Sequence, residues 1–153
     1  MYSKHEAALL KEEFWTAFGR YMSPVLSADE TKVNWINYKT GEKHVQFKMH
    51  ADGNKAVIGI EISNPDIEFQ RLYFDQFKLM ENILNASLKE EWTWILHYID
   101  ENGKVISRIS KDLQPISVFN KNDWPQLISF FKPRIIALDK FWSSTRYGFQ
   151  ALQ

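Results

Sequence analysis

Apolar residues recur every three or four positions near the start of the chain, which is the spacing of one helix face. Ser3 and Glu6 can form a capping box, in which each side chain binds the backbone N–H of the other residue. Pro24 ends the segment, because the residue before a proline avoids helical geometry. We predict a helix over residues 3–22. Its buried face comprises Leu10, Phe14, Phe18, Tyr21 and Met22.

Between residues 33 and 62 the apolar period shortens to two, as in strands with one buried face. Two breaks that contain glycine, at residues 39–41 and 52–54, are typical of hairpin turns. This segment predicts a three-stranded antiparallel meander. Its inward positions are Val33, Trp35, Val45, Phe47, Met49, Ala56, Ile58, Ile60 and Ile62.

A second helix is predicted to follow the meander and to end near Ala86. Asn64 can cap this helix, and Pro65 suits its first turn. Asp66 suits the positive end of the helix dipole. The residues that follow keep the three- and four-residue apolar spacing, so we expect one continuous helix.

The second half of the chain predicts two more strands and a last helix. An Asn-Gly turn at residues 102–103 is the strongest hairpin signal, and it separates alternating segments at residues 92–98 and 105–110. The last helix is expected to open at residues 122–123. Pro133 lies within its apolar pattern and should kink or split it.

The predicted order of elements is α-β-β-β-α-β-β-α. It gives an α+β fold with a mainly antiparallel five-stranded sheet and helices packed on it. No linker, repeat or low-complexity stretch divides the 153 residues, so residues 1–153 are predicted to form a single domain. Hydrophobic residues make up 44% of the chain, which supplies a core without disulfides.

The strand register predicts a candidate surface cluster on the second face of the sheet. A turn at residues 52–53 places His44 opposite Glu61, and a three-residue loop in the first hairpin adds Tyr38 to the same face. A carboxylate beside an imidazole can orient it for acid–base work. An ordinary cross-strand ion pair is the simpler interpretation, because no nucleophile or glycine-rich loop accompanies the pair.

Cysteine is absent from the chain. This excludes a disulfide framework, an iron–sulfur cluster, a thiolate zinc site and a cysteine nucleophile. The first residues lack the basic and apolar regions of a signal peptide, and no apolar run reaches the ~18 residues that a membrane span needs. We therefore expect a soluble, cytoplasmic protein without a membrane partner.

Charge and histidine spacing argue against two classes of ligand. Nineteen basic and nineteen acidic residues balance, whereas nucleic-acid binders usually carry a basic excess, so net charge does not support nucleic acid as a partner. His44 and His50 share a predicted strand face, but at ~3.3 Å per residue they lie ~20 Å apart. We therefore expect neither a metal site nor a cofactor.

The element order αβββαβ also occurs in restriction-endonuclease-like nucleases. Those enzymes need an acid on the second strand and Glu/Asp-x-Lys on the third, in order to hold Mg²⁺ and activate water. Here the third predicted strand ends with Glu61, Ile62 and Ser63, so the lysine is missing. A nuclease-like fold of this sequence would be inactive.

Aromatic residues suggest a binding surface. Trp92, Trp94 and Tyr98 on one predicted strand could stack nucleic-acid bases, but the apolar stripes of the helices favour a core position for them. The aromatic residues near the C-terminus are expected to be partly exposed and suitable for a dimer contact. They are Trp124, Trp142, Tyr147 and Phe149.

Several segments together resemble a bacterial family of uncharacterised domains. The segments are residues 58–66 (IGIEISNPD), 92–94 (WTW), 108–109 (RI), 119–131 (FNKNDWPQLISFF) and 141–142 (FW). Members of this family occur as standalone proteins of about this length and, in longer chains, behind nuclease-like domains. The resemblance covers nearly the whole chain. It implies no assigned activity, only a link to DNA-related biology.

The leading functional hypothesis is a non-enzymatic accessory or interaction domain that associates into a homo-oligomer. It rests on the missing catalytic motifs and the abundance of aromatic residues. The alternatives are a nucleic-acid-binding module linked to DNA metabolism and an inactive restriction-endonuclease-like fold. A small-molecule enzyme that uses His44 and Glu61 is a further alternative.

Overall fold

The structure is a computed structural model that describes residues 2–153. These residues form five helices and four strands, with one 3-10 turn before α4. They are α1 (Lys4–Met22), β1 (Val45–Ala51), β2 (Ala56–Ile62), α2 (Ile67–Leu79), α3 (Glu81–Leu88), β3 (Thr93–Ile99), β4 (Val105–Leu113), the 3-10 turn (Lys121–Asp123), α4 (Trp124–Thr145) and α5 (Tyr147–Gln150).

The four strands form one antiparallel sheet in the order β1-β2-β4-β3. Helices α2 and α4 pack on one face of this sheet, and aromatic rings fill the space between the layers. The opposite face carries polar side chains from β1, β2 and β4, and we call it the open face. The largest fully buried side chains are Trp142, Phe14, Phe18, Phe77, Phe131, Phe141 and Phe149.

The first helix agrees with the sequence pattern. Its capping box is present, since the Ser3 hydroxyl accepts from the Glu6 backbone N–H at 3.1 Å and the Glu6 carboxylate accepts from the Ser3 N–H at 3.4 Å. Phe14, Phe18 and Met22 are fully buried on the predicted face. The helix therefore forms where its cap and its apolar stripe both place it.

The first predicted strand is absent, so the sheet has four strands rather than five. Residues 23–44 form a long connection that side chains fix to the core. The indole of Trp35 donates to the Val25 carbonyl at 2.9 Å, and the indole of Trp142 donates to the Thr40 carbonyl at 2.7 Å. Alternation at residues 33 and 35 thus reflects an anchored loop. The αβββαβ order that suggested a nuclease-like fold is absent with it.

The turn between β1 and β2 is two residues longer than predicted. The Asp52 carboxylate accepts from the backbone N–H of Asn54 and of Lys55, each at 2.8 Å, and closes a four-residue loop. Val45 therefore pairs with Ile62, whereas the two-residue turn predicted a pairing with Ile60. A shift of two residues leaves every side chain on its predicted face, because strand faces alternate with period two.

The second helix differs from the prediction in its cap and its continuity. Its cap is Asp66 instead of Asn64, and the Asp66 carboxylate accepts from the Glu68 backbone N–H at 2.9 Å. The helix breaks at Met80, whose φ of −103° and ψ of 15° lie outside helical geometry. Two helices, α2 and α3, therefore replace one.

Helix α4 runs through Pro133 without being split. A proline inside a helix costs about 3 kcal/mol, because it removes a hydrogen bond and crowds the preceding turn. Phe131 and Ile135 flank the proline and are fully buried, and each buried side chain contributes about 1.5–3 kcal/mol. Burial on both sides therefore offsets the cost of the proline.

None of the helices among residues 2–153 combines the length and the apolar character that a membrane crossing requires.

Candidate functional site

The structure does not bring the predicted cluster of Tyr38, His44 and Glu61 together. The Tyr38 ring stacks on Phe47 with centroids 5.1 Å apart, which places Tyr38 on the helix-covered face. His44 precedes β1 with a φ of 68°, and its carbonyl accepts from the Ser63 backbone N–H. Glu61 lies on the open face. The predicted pairing of His44 with Glu61 is wrong, because the turn between β1 and β2 is longer than expected.

Tyr38 has a structural role in a buried hydrogen-bond network. Its hydroxyl donates to Asp139 of α4 at 2.6 Å, and the Ala28 backbone N–H donates to the same carboxylate at 2.7 Å. Burial and the hydrogen bond to Asp139 raise the pKa of Tyr38. The network ties the connection at residues 23–44 to α4.

Glu61 is the centre of a charged cluster on the open face. Its carboxylate lies 3.8 Å from Lys48 Nζ and 3.5 Å from His50 Nε2, and its side chain is only 14% exposed. Burial opposes ionisation of this carboxyl, but the contact with His50 and the charges of Lys48 and Arg108 outweigh it and lower the pKa of Glu61. Glu61 is therefore held ionised among cations.

Arg108 occupies the position opposite Glu61 on β4. Its guanidinium lies over the ring of Tyr98, 5.3 Å from the centroid. Its Nε is buried, and among residues 2–153 this atom has no hydrogen-bond acceptor. Arg108 thus presents an unpaired donor beside the charged cluster.

A β-bulge decides the position of Tyr98. Ile95 pairs with Arg108 and Tyr98 pairs with Ile106, so β3 has one residue more than β4 between these pairs. His97 lies in the bulge with a φ of 50°, and its backbone N–H donates to the Ser107 hydroxyl at 3.0 Å. An extra residue reverses the alternation. Tyr98 is therefore on the face opposite to Trp94, although the sequence placed both on one face.

These residues line a trough on the open face with a volume of about 620 Å³. Lys48, Glu61 and Arg108 line it from the strands. Lys11 and Trp15 of α1 border one part of the trough. The turns at residues 52–55 and 100–102 supply further lining side chains. The volume lies within the ~300–1,000 Å³ typical of small-molecule sites.

The predicted strand faces put Lys48 and His50 on the same face as Glu61, but neither was named as a site residue. The signal was the shared face of β1, combined with a turn that begins at Asp52. The face of Tyr98 depends on the β3 bulge, for which the sequence has no comparable signal, whereas the position of Arg108 depends on the pairing of β2 with β4. Among residues 2–153, no group of three or more histidine, aspartate or glutamate side chains is arranged to hold a metal ion.

A second surface lies on the helical side of the domain. Of the four aromatic residues expected to be partly exposed, Trp142 and Phe149 lie in the core, Trp124 is partly buried and Tyr147 is exposed. Exposed apolar side chains instead follow α2 and α3 at spacings of three, seven and four residues. We call them the α2–α3 stripe; they are Phe69, Leu72, Leu79 and Ile83.

Comparison with known proteins gives a family match. No curated protein and no solved structure matches the chain. The model of the domain of unknown function DUF4268 matches residues 10–146, which is most of the chain. This agrees with the resemblance to an uncharacterised domain family. The chain belongs to the DUF4268 family.

Proposed function

We propose that this domain is a non-catalytic interaction module that pairs with a second copy of itself through the α2–α3 stripe. The observation that carries the proposal is the exposure of Leu79, which is 83% exposed beside other uncovered apolar residues. Monomeric proteins seldom expose large contiguous apolar patches, and such patches often mark interfaces. Burial of each leucine would contribute about 1.5–3 kcal/mol.

The charges beside the stripe favour a second copy over a strongly charged partner. Glu68, Arg71, Asp75 and Lys78 alternate in sign along α2, and Arg71 lies 3.9 Å from Asp75 within one helix. A surface that carries both signs can complement a copy of itself across a two-fold axis. A uniformly acidic or basic partner would meet repulsion at every second position.

The spacing of the two central leucines is compatible with such an axis. Leu72 and Leu79 lie two helical turns apart on α2. In an antiparallel arrangement about the midpoint between them, Leu72 of one copy meets Leu79 of the other. The same residues would therefore serve both halves of an isologous contact.

The test is the mass in solution by size-exclusion chromatography with light scattering at high micromolar concentration. We expect a dimer for the wild type and a monomer for the double variant Leu72→Glu/Leu79→Glu. Leu9→Glu is the matched control, because Leu9 is 51% exposed on α1, away from the stripe. A wild-type protein that stays monomeric, or a control that dissociates equally, would contradict the proposal.

A further inference from the structure

We propose that the trough on the open face binds a small ligand through an oxyanion group, either a phosphate monoester or a carboxylate, held by Arg108, Lys48 and His50. This site is separate from the α2–α3 stripe, which lies on the helical side of the sheet. The proposal therefore goes beyond self-association and stands or fails independently of it.

Arg108 supplies the first argument. Its Nε is buried without an acceptor among residues 2–153, and an unsatisfied buried donor costs about 1–3 kcal/mol. The Tyr98 ring covers one face of the guanidinium, and the Arg108 side chain lines the trough. The planar fork of arginine matches two oxygens of a carboxylate or phosphate.

The charges that the strands contribute to the trough supply the second argument. On the strands, Lys48 and Arg108 against Glu61 leave one positive charge. The contacts of Glu61 with Lys48 and His50, at 3.8 and 3.5 Å, exceed the ~2.7–2.9 Å of a charge-assisted hydrogen bond. The Lys48 ammonium and the His50 ring can therefore turn toward an oxyanion without breaking a tight ion pair.

Size and the positions of the acids favour a small ligand over a nucleic-acid strand. The volume of about 620 Å³ suits a compact molecule. Asp52, Asp100 and Glu101 also line the trough, and they would repel a continuous phosphate backbone. A ligand with one oxyanion can bind the central cations and avoid these carboxylates.

The experiment is an NMR titration of the full chain with inorganic phosphate and, separately, with sodium acetate at constant ionic strength. We expect saturable shifts at the Arg108 side-chain N–H and at the amides of His50 and Glu61. The anion that binds with the higher affinity shows whether the site prefers a phosphate or a carboxylate group. Arg108→Gln should weaken binding about tenfold or more. Arg20→Gln is the matched control, because Arg20 is exposed in the last turn of α1 and does not line the trough, and it should bind like the wild type.

Three results would overturn the proposal. The first is that neither anion shifts these signals more than sodium chloride does. The second is that Arg108→Gln and Arg20→Gln bind equally well. The third is that a short single-stranded oligonucleotide binds at concentrations where phosphate and acetate do not. If Arg108→Gln does not fold, Lys48→Gln replaces it, with an expected loss of several-fold in affinity, and unchanged affinity would again overturn the proposal.

Discussion

Glu61 and Arg108 occupy directly opposite positions on β2 and β4, yet their side chains form no salt bridge within 4 Å. The Glu61 carboxylate lies near Lys48 and His50 on β1 instead. Cross-strand partners of opposite charge usually meet. Here the arginine packs against Tyr98 from β3, so the four strands contribute to one polar surface whose charges are only partly matched.

The first prediction concerns the pH dependence of stability. Because the pKa of Glu61 is lowered below its ordinary value of 4.5 in the folded protein, ionised Glu61 stabilises the fold above that pH. This contribution is lost as the pH falls through the lowered pKa. Thermal melting of wild type and Glu61→Gln should show a higher Tm for the wild type at pH 7 and a shrinking difference toward pH 3. A difference in Tm that is constant with pH would refute the assignment.

The second prediction concerns the buried network of Tyr38 and Asp139. Asp139 is only 3% exposed and accepts the Tyr38 hydroxyl at 2.6 Å. Tyr38→Phe should lower the free energy of unfolding by about 1.5–3 kcal/mol, the contribution of a hydrogen bond to a charged group. Urea denaturation measures this quantity. Tyr2→Phe, at a half-exposed ring, is the control and should have little effect.

The third prediction concerns Gly59 in β2. A Cβ at this position would lie 2.9 Å from the Ile109 carbonyl oxygen and 2.9 Å from the Ser110 Cβ. Since the backbone of β4 cannot move without disturbing the sheet, Gly59→Ala should destabilise the protein by about 1–3 kcal/mol.

Gly19→Ala is the comparison for this glycine. Its Cβ would meet only the end of the Ile36 side chain, and alanine favours helix over glycine by about 1 kcal/mol. Calorimetry should therefore give a lower Tm for Gly59→Ala than for Gly19→Ala. Equal values would show that β2 and β4 are not as close as described.

Much of the architecture follows from the sequence because helix and strand periods differ. The cap of α1 and the two hairpins are predicted from local sequence signals. The faces of β1 and β2 are predicted correctly although the turn length is not, because a register shift of two residues leaves each side chain on its face. The missing strand before β1 could not be recognised in the same way. Two alternating apolar residues, Val33 and Trp35, are as compatible with an anchored loop as with a strand.

The site was less accessible to prediction than the fold. Glu61 was identified, but its neighbours depend on a turn two residues longer and on one inserted residue in β3. A single insertion changes the face of every later side chain in a strand. The helix break at Met80 could not be predicted from the sequence either, because the apolar spacing continues across it.

The irregularity in β3 has a consequence for assembly at the outer edges of the sheet. β3 is a terminal strand, and a regular terminal strand offers a row of unpaired peptide groups to which another chain can add. The extra residue near His97 interrupts that row and increases the local twist. The domain thereby resists open-ended strand addition, so that growth into fibrils is discouraged at this edge.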